Sequence, residues 1–235
     1  MSYKKENDTS FALGAFAVYE ALRARPNLVR RIYTSRELTM TAEISAILDL
    51  ARKLHIAVED GSKLLKRVGG KDNIYLMAEF DKFSDLFDSS DQIVLHTPSD
   101  MGNVGTILRT ALGFGVKNVA IIKPCVDVFH PRVVRASQGA IFSLNIRVFD
   151  SWEDYLAENS QITKYLFMLD RDAQVLQKTP CPSTPKALVF GNEATGLPAS
   201  LKSCGIPTII RHTAEIDSLN LGVAVSIALY HFSKI

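Results

Sequence analysis

Only three cysteines occur in the 235 residues, Cys125, Cys181 and Cys204, and they stand far apart in the chain. Without a CxxC pair they support neither a disulfide framework nor a zinc site, so the reducing cytoplasm is the expected compartment. No run approaches the ~18 apolar residues of a membrane span. Residues 1–10 are polar and lack the apolar core of a secretion signal. Neither sign of charge dominates, with 27 basic side chains against 25 acidic ones. A global basic field for nucleic acid is therefore missing, and only a local patch would serve that purpose.

Common catalytic signatures are missing too. Residues 113–118 begin like GxGxxG but place Asn118 where the third glycine belongs, at the end of a helical run. Gly70-Lys71 lacks the upstream glycine of a phosphate loop, and neither GxSxG nor HExxH is found. The five histidines, His55, His96, His130, His212 and His231, have no metal-ligand spacing. A kinase, a classical dehydrogenase, a serine hydrolase and a zinc enzyme all lose their support.

What the chain does have is an ordinary globular composition, 47% hydrophobic and 22% charged, and a repeated alternation of strand-like and helix-like runs. In the first part, residues 11–24 carry apolar residues at helical spacing. Strands are expected at 28–33, 56–58 and 74–80, and helices at 42–54 and 62–67. The stretch between Asp81 and Asp91, DKFSDLFDSSD, is acidic, serine-containing and weakly periodic, as a linker is. That predicts an α/β domain over 1–82, a linker at 83–90 and a second domain over 91–235. In the second domain strands are expected at 92–96, 119–122, 145–149, 165–169, 187–190 and 208–210. Helices are expected at 104–114, 131–136, 151–157 and 219–232. Alternation of this kind means a mostly parallel sheet, whose ligands lie beyond the carboxyl ends of the strands. Attention falls on the loops 97–103, 191–197 and 211–218.

Three segments at those loops carry polar residues in apolar surroundings. The first is Asn103-Val104-Gly105-Thr106-Ile107-Leu108-Arg109-Thr110-Ala111. Asn103 is placed to cap a helix, and Arg109 falls near the face of Gly105, Leu108 and Leu112, which reads as largely buried. A buried guanidinium needs a carboxylate or phosphate, so a structural salt bridge and a ligand contact are both open. The second is Gly191-Asn192-Glu193-Ala194-Thr195-Gly196-Leu197-Pro198, a loop with glycines at both ends. Its backbone can approach a ligand closely, and Glu193 can bind substrate or hold Arg109. The third runs from Ile210-Arg211-His212 to Ser218-Leu219-Asn220. Ser218 is placed to cap the last helix, with Asn220 in its first turn.

Taken in this order and at these separations, the three segments resemble the motifs of the SpoU (TrmH) family of SPOUT methyltransferases. Arg135-Ala136-Ser137-Gln138-Gly139-Ala140 is similar to that family's RAS-x-GA segment. The resemblance covers about residues 91–235. It implies a C-terminal parallel α/β domain tied in a trefoil knot, S-adenosyl-L-methionine as cofactor, and a homodimer with active sites shared between subunits. The implied reaction is methyl transfer to a ribose 2′-hydroxyl of RNA, with no metal. By position, Asn103, Arg109, Glu193, Ser218 and Asn220 match the family's active-site residues, and Gly191, Ile210 and Leu219 its cofactor contacts. Because a guanidinium scarcely ever loses its proton, Arg109 is expected to polarise the hydroxyl and bind a phosphate.

Residues 1–82 also resemble the smaller ribosomal-protein-like, RNA-binding α/β domain that precedes this catalytic domain in many members. In that role Arg23, Arg25, Arg30, Arg31 and Arg36, with Lys63, Lys66, Arg67 and Lys71, would meet phosphates. Such a domain favours ribosomal RNA over tRNA. Two departures from the family stand out. The approach to Asn103, Thr97-Pro98-Ser99-Asp100-Met101-Gly102, is longer than the usual DPxN turn, and Arg211-His212 replaces Pro-Met. A catalytically silent RNA-binding module and an α/β enzyme acting on a small molecule are the competing readings.

Overall fold

The computed structural model describes residues 3–69 and 73–233; Gly70 and Lys71 lie outside them. In chain order the elements of the first part are β1 (Thr9–Leu13), α1 (Ala15–Ala24), β2 (Val29–Thr34), α2 (Ala42–Lys53), β3 (Ala57–Asp60), α3 (Ser62–Gly69) and β4 (Leu76–Asp81). There follow β5 (Gln92–His96), α4 (Met101–Gly113), β6 (Asn118–Ile122), α5 (Pro131–Ala136), β7 (Asn145–Phe149) and α6 (Trp152–Glu158). The chain ends with β8 (Thr163–Phe167), β9 (Gln174–Val175), β10 (Lys186–Phe190), β11 (Ile206–Ile209) and α7 (Leu221–Phe232).

Residues 11–13 are strand rather than the start of a helix. Gly14, at φ 88°, turns the chain sharply before α1, and β1 then pairs antiparallel with β4, Phe11 opposite Glu79. Side chains of Phe11, Ala12 and Leu13 are buried there, which is why their apolar run also fitted a helical spacing.

Packing divides the chain into two units, and the division is not a single cut. One unit comprises Met1–Phe83 with Asp127–Ser143; the other comprises Ser84–Val126 with Leu144–Ile235. Residues 127–143, which the sequence assigns to the second domain, thus pack with the first. The first unit is a four-stranded sheet in the order β1-β4-β2-β3. Helix α5 lies on β1, and Gly139, at φ 78°, meets α1 so closely that a Cβ there would come within 2.8 Å of Glu20 and 3.1 Å of the Ala17 Cα. Lys82 donates to Asp127 at 2.9 Å, and the Tyr3 hydroxyl donates to the same carboxylate.

The second unit is a seven-stranded, all-parallel sheet in the order β7-β6-β5-β10-β8-β11-β9. Its central strands are almost wholly apolar and buried, as a parallel sheet covered on both faces demands. One core cluster joins Val94, Ala120, Leu166 and Val189 of the sheet to Trp152 and Tyr155 of α6. Strand β10 inserts between β5 and β8 although both precede it in sequence. The loops that follow β5, β10 and β11 therefore emerge together at the carboxyl edge.

Candidate active site

At that edge Asp100, not Asn103, caps α4. Its carboxylate accepts from the Asn103 backbone amide at 2.7 Å. Asn103 therefore stands three residues after the capping aspartate, which is the DPxN spacing with Met101 in the proline position. The approach to the asparagine is not longer than the family's turn, contrary to the sequence expectation. A cap falls on Asp100 because its short acidic side chain reaches the free amides of the first turn.

Freed from capping, the Asn103 side chain bridges two other loops. Its Nδ2 donates to Glu193 Oε1 at 3.4 Å, and its Oδ1 accepts from Asn220 Nδ2 at 3.0 Å. Asn220 in turn caps α7, its Oδ1 accepting from the amides of Gly222 and Val223 at 2.9 and 3.3 Å. The expected cap, Ser218, is exposed two residues earlier. It fails as a cap because Asn220 occupies the non-helical position directly before α7.

Glu193 is the centre of this arrangement. Its Oε2 accepts from the Ser99 amide at 2.9 Å and the Ser99 hydroxyl at 2.6 Å, and its Oε1 also accepts from the Asp100 amide at 3.1 Å. Partial burial pushes its carboxyl pKa up, but the bonds from Ser99 and Asp100 outweigh that and hold it below the ordinary value. Glu193 does not hold Arg109, as the sequence allowed. Its loop is folded back by the Asn192–Gly196 bridge, with Gly191 so tightly placed that a Cβ would lie 2.1 Å from the Gly196 carbonyl carbon. Asn192 ties the same loop to the first, Nδ2 donating to the Thr97 carbonyl at 2.8 Å.

A cleft of about 360 Å³ opens beside Glu193. Gly191, Ile210, Ser218 and Leu219 line it, as do Phe190, Leu197 and His212. A close-packed glycine, apolar walls and a few polar groups suit a mixed ligand with a flat ring and a charged end.

Arg109 is not brought to this cluster. It is exposed, and among the described residues it makes no hydrogen bond or ion pair. Six residues beyond Asn103, it stands about 9 Å further along α4 and about 240° around it. The sequence placed it on a buried face, but Leu112 at the edge of that face is itself only half-buried, and Arg109 lies one step further out.

Most of the arginines of the first unit are paired with carboxylates. Arg23 pairs with Glu20 at 2.6 Å, Arg30 with Asp81 at 2.6 Å, Arg31 with Glu59 at 3.1 Å and Arg36 with Asp60 at 2.7 Å. Arg25 lies over the Phe83 ring, and Lys66 is 3.6 Å from Glu37. Phosphates would have to displace carboxylates at most of these positions. Sequence reading assigned no role to Ser99, Asp100 or Asn192. Asn192, an Asn at the start of a glycine-bounded turn, carried a legible signal, since its Oδ1 accepts from the amides of Ala194 and Thr195.

Comparison with known proteins identifies the family and the fold. Residues 91–230 match the model of the SpoU rRNA Methylase family. An uncharacterized tRNA/rRNA methyltransferase of Archaeoglobus fulgidus is 30% identical over 209 residues, covering 88% of this chain and 91% of the relative. The 23S rRNA (guanosine(2553)-2′-O)-methyltransferase RlmP of Bacillus subtilis is 26% identical over 232 residues, covering 97% and 90%. The structure of an AdoMet-bound rRNA methyltransferase from Sinorhizobium meliloti superimposes with a TM-score of 0.81 at 22% identity, covering 96% of this chain and 87% of that one. At that identity the superposition speaks for the fold.

Proposed function

The chain belongs to the SpoU rRNA methylase family, and from that premise we propose that it transfers a methyl group from S-adenosyl-L-methionine to a ribose 2′-hydroxyl of RNA, ribosomal RNA first. The observation that carries the reading is the hydrogen-bonded relay Glu193–Asn103–Asn220, which joins all three motif loops beside one cleft. Gly191, Ile210 and Leu219, with His212 beside them, would hold the cofactor, in keeping with the close backbone approach at Gly191. When bound, the cofactor supplies a methyl group activated by a sulfonium centre.

Hydrogen-bond accounting assigns the roles of the protein groups. Glu193 spends its acceptor positions on four donors, so it anchors the loops and is unsuited to take a proton. Asn103 spends its carbonyl oxygen on Asn220, and Asn220 spends its own on the first amides of α7. What these side chains have left are donors: the second amide hydrogens, the Ser218 hydroxyl and the guanidinium of Arg109. Such a donor set stabilises a developing alkoxide and grips an adjacent phosphate, lowering the cost of losing the hydroxyl proton.

Arg109 completes this set from a second copy of the chain. Support comes from its position away from its own Asn103. It comes also from α7, which packs on α4 yet leaves Val223, Ile227 and Tyr230 exposed at 48%, 37% and 75%. These three lie on one helical stripe, as a dimer interface requires. The threading of β10 and β11 past β5 and β8 fits a trefoil knot. The first unit serves as the RNA-binding domain. A tRNA substrate is the second reading, favoured by the name of the Archaeoglobus relative, a tRNA/rRNA methyltransferase.

Transfer of labelled methyl to ribosomal RNA lacking its native modifications tests the reaction, and ribose-methylation mapping names the nucleotide. Arg109→Ala is expected to lower transfer by on the order of 100-fold or more while cofactor affinity stays unchanged. Mixing Arg109→Ala with Glu193→Gln chains should restore part of the activity, since one site of the mixed dimer regains both groups. Failure of calorimetry to detect cofactor binding at millimolar concentration would sink the reading.

A further inference from the structure

The turn between β5 and α4 holds a residue that neither the motifs nor the cleft lining pick out. Ser99 gives Glu193 two of its four hydrogen bonds, and its hydroxyl bond, at 2.6 Å, is the shortest of the set. Through the other carboxylate oxygen Glu193 meets Asn103, whose far side meets Asn220. We propose that Ser99 is a positioning residue for methyl transfer, orienting the Asn103 amide through Glu193. This rests on the methyltransferase reading and adds to it a link supplied by the first loop itself.

The direction of the link follows from donor and acceptor chemistry. A carboxylate accepts on both oxygens only while ionised; protonated, one oxygen becomes a donor and conflicts with the amides facing it. The Ser99 hydroxyl and amide fill Oε2, which leaves Oε1 for the Asp100 amide and Asn103. The Asn103 side chain then has only one flip state compatible with its neighbours, Nδ2 toward Glu193 and Oδ1 toward Asn220. Asn192 steadies the turn by donating to Thr97, a non-glycine residue in the left-handed region at φ 53°. Three of the other titratable side chains at this edge are separately engaged. Asp100 caps α4, Asp170 pairs with Lys202 at 2.7 Å, and the His212 Nδ1 lies 2.9 Å from the Thr213 carbonyl.

The test compares wild type, Ser99→Ala and Ser99→Thr in the full chain. Four readouts are needed: single-turnover methyl transfer to unmodified ribosomal RNA, cofactor affinity by calorimetry, thermal midpoint, and titration of the Glu193 carboxyl carbon by NMR. Ser99→Ala is expected to slow transfer roughly tenfold or more, with cofactor affinity within about twofold and the midpoint little changed. Its Glu193 titration and the acid limb of its rate profile both move to higher pH, and Ser99→Thr restores both. A Ser99→Ala enzyme with wild-type rate and profile overturns the proposal. So does a loss of rate that merely tracks a loss of cofactor binding or stability. If wild type transfers no methyl yet Glu193 titrates as described, the failure lies in the methyltransferase reading and not in the Ser99–Glu193 link.

Discussion

Glu193 shows how a single carboxylate can tie two loops together through four hydrogen bonds. A group whose folded pKa lies below its unfolded value contributes stability that is fully present above the unfolded pKa. That contribution is lost as pH falls through the folded pKa. Glu193 is held low by Ser99 and Asp100 against its own burial, so it contributes at neutral pH and ceases to in acid. Urea unfolding of wild type and Glu193→Gln should therefore differ most near pH 7 and converge toward pH 3. A constant difference across that range would mean that the carboxylate is not the anchor. Of the eight residues singled out from sequence, seven meet at the cleft or its relay, because motif spacing fixes which loops they occupy. Arg109 is the exception. Its direction depends on helix phase, which six residues of sequence pattern leave open.

Elements were legible where apolar runs have a single interpretation. Strand β7 and helix α5 fall where alternation and Pro131 put them, and α2 falls where its helical spacing puts it. The run at residues 11–13 misled because three consecutive buried residues suit a two-faced buried strand as well as a helix; the deciding contact, β4, lies more than sixty residues away. Caps were misplaced for a related reason, since Asp100 competes with Asn103, and Asn220 with Ser218, within one turn. The RAS-x-GA segment gained its role only from packing. Gly139 combines a left-handed φ with contact to α1, so Gly139→Val should cost about 2–4 kcal/mol of stability through strain and overpacking. Chemical denaturation checks this, and a change under 0.5 kcal/mol would refute the tight contact.

At the scale of the whole molecule, the linker at residues 83–90 read from the acidic stretch lies at one crossing between the units, whereas the chain makes three. Composition marks a linker only where it is polar. The crossings near 126 and 143 lie among ordinary residues, and nothing local distinguishes them. Fragment 84–235 should consequently behave poorly. It carries Phe129, Val133, Val134, Ile141 and Phe142, all buried in the intact chain, each worth about 1.5–3 kcal/mol when shielded from water. Strong binding of a hydrophobic dye and early elution on gel filtration are expected; a monodisperse, dye-silent fragment would show the units to be separable.

The same crossings bear on how the protein is made and how it can evolve. A growing chain cannot complete the first unit when its first 83 residues leave the ribosome, because α5 and its flanking turns are still unsynthesised. By the time they emerge, β5, α4 and β6 are already exposed and waiting for β10. The first unit is complete in sequence once residue 143 has emerged, while the second still awaits β8, β10, β11 and α7. For the same reason the amino-terminal module cannot be exchanged between relatives as a cassette. A viable recombinant would have to carry residues 127–143 with it, from between the two sequence segments of the second unit.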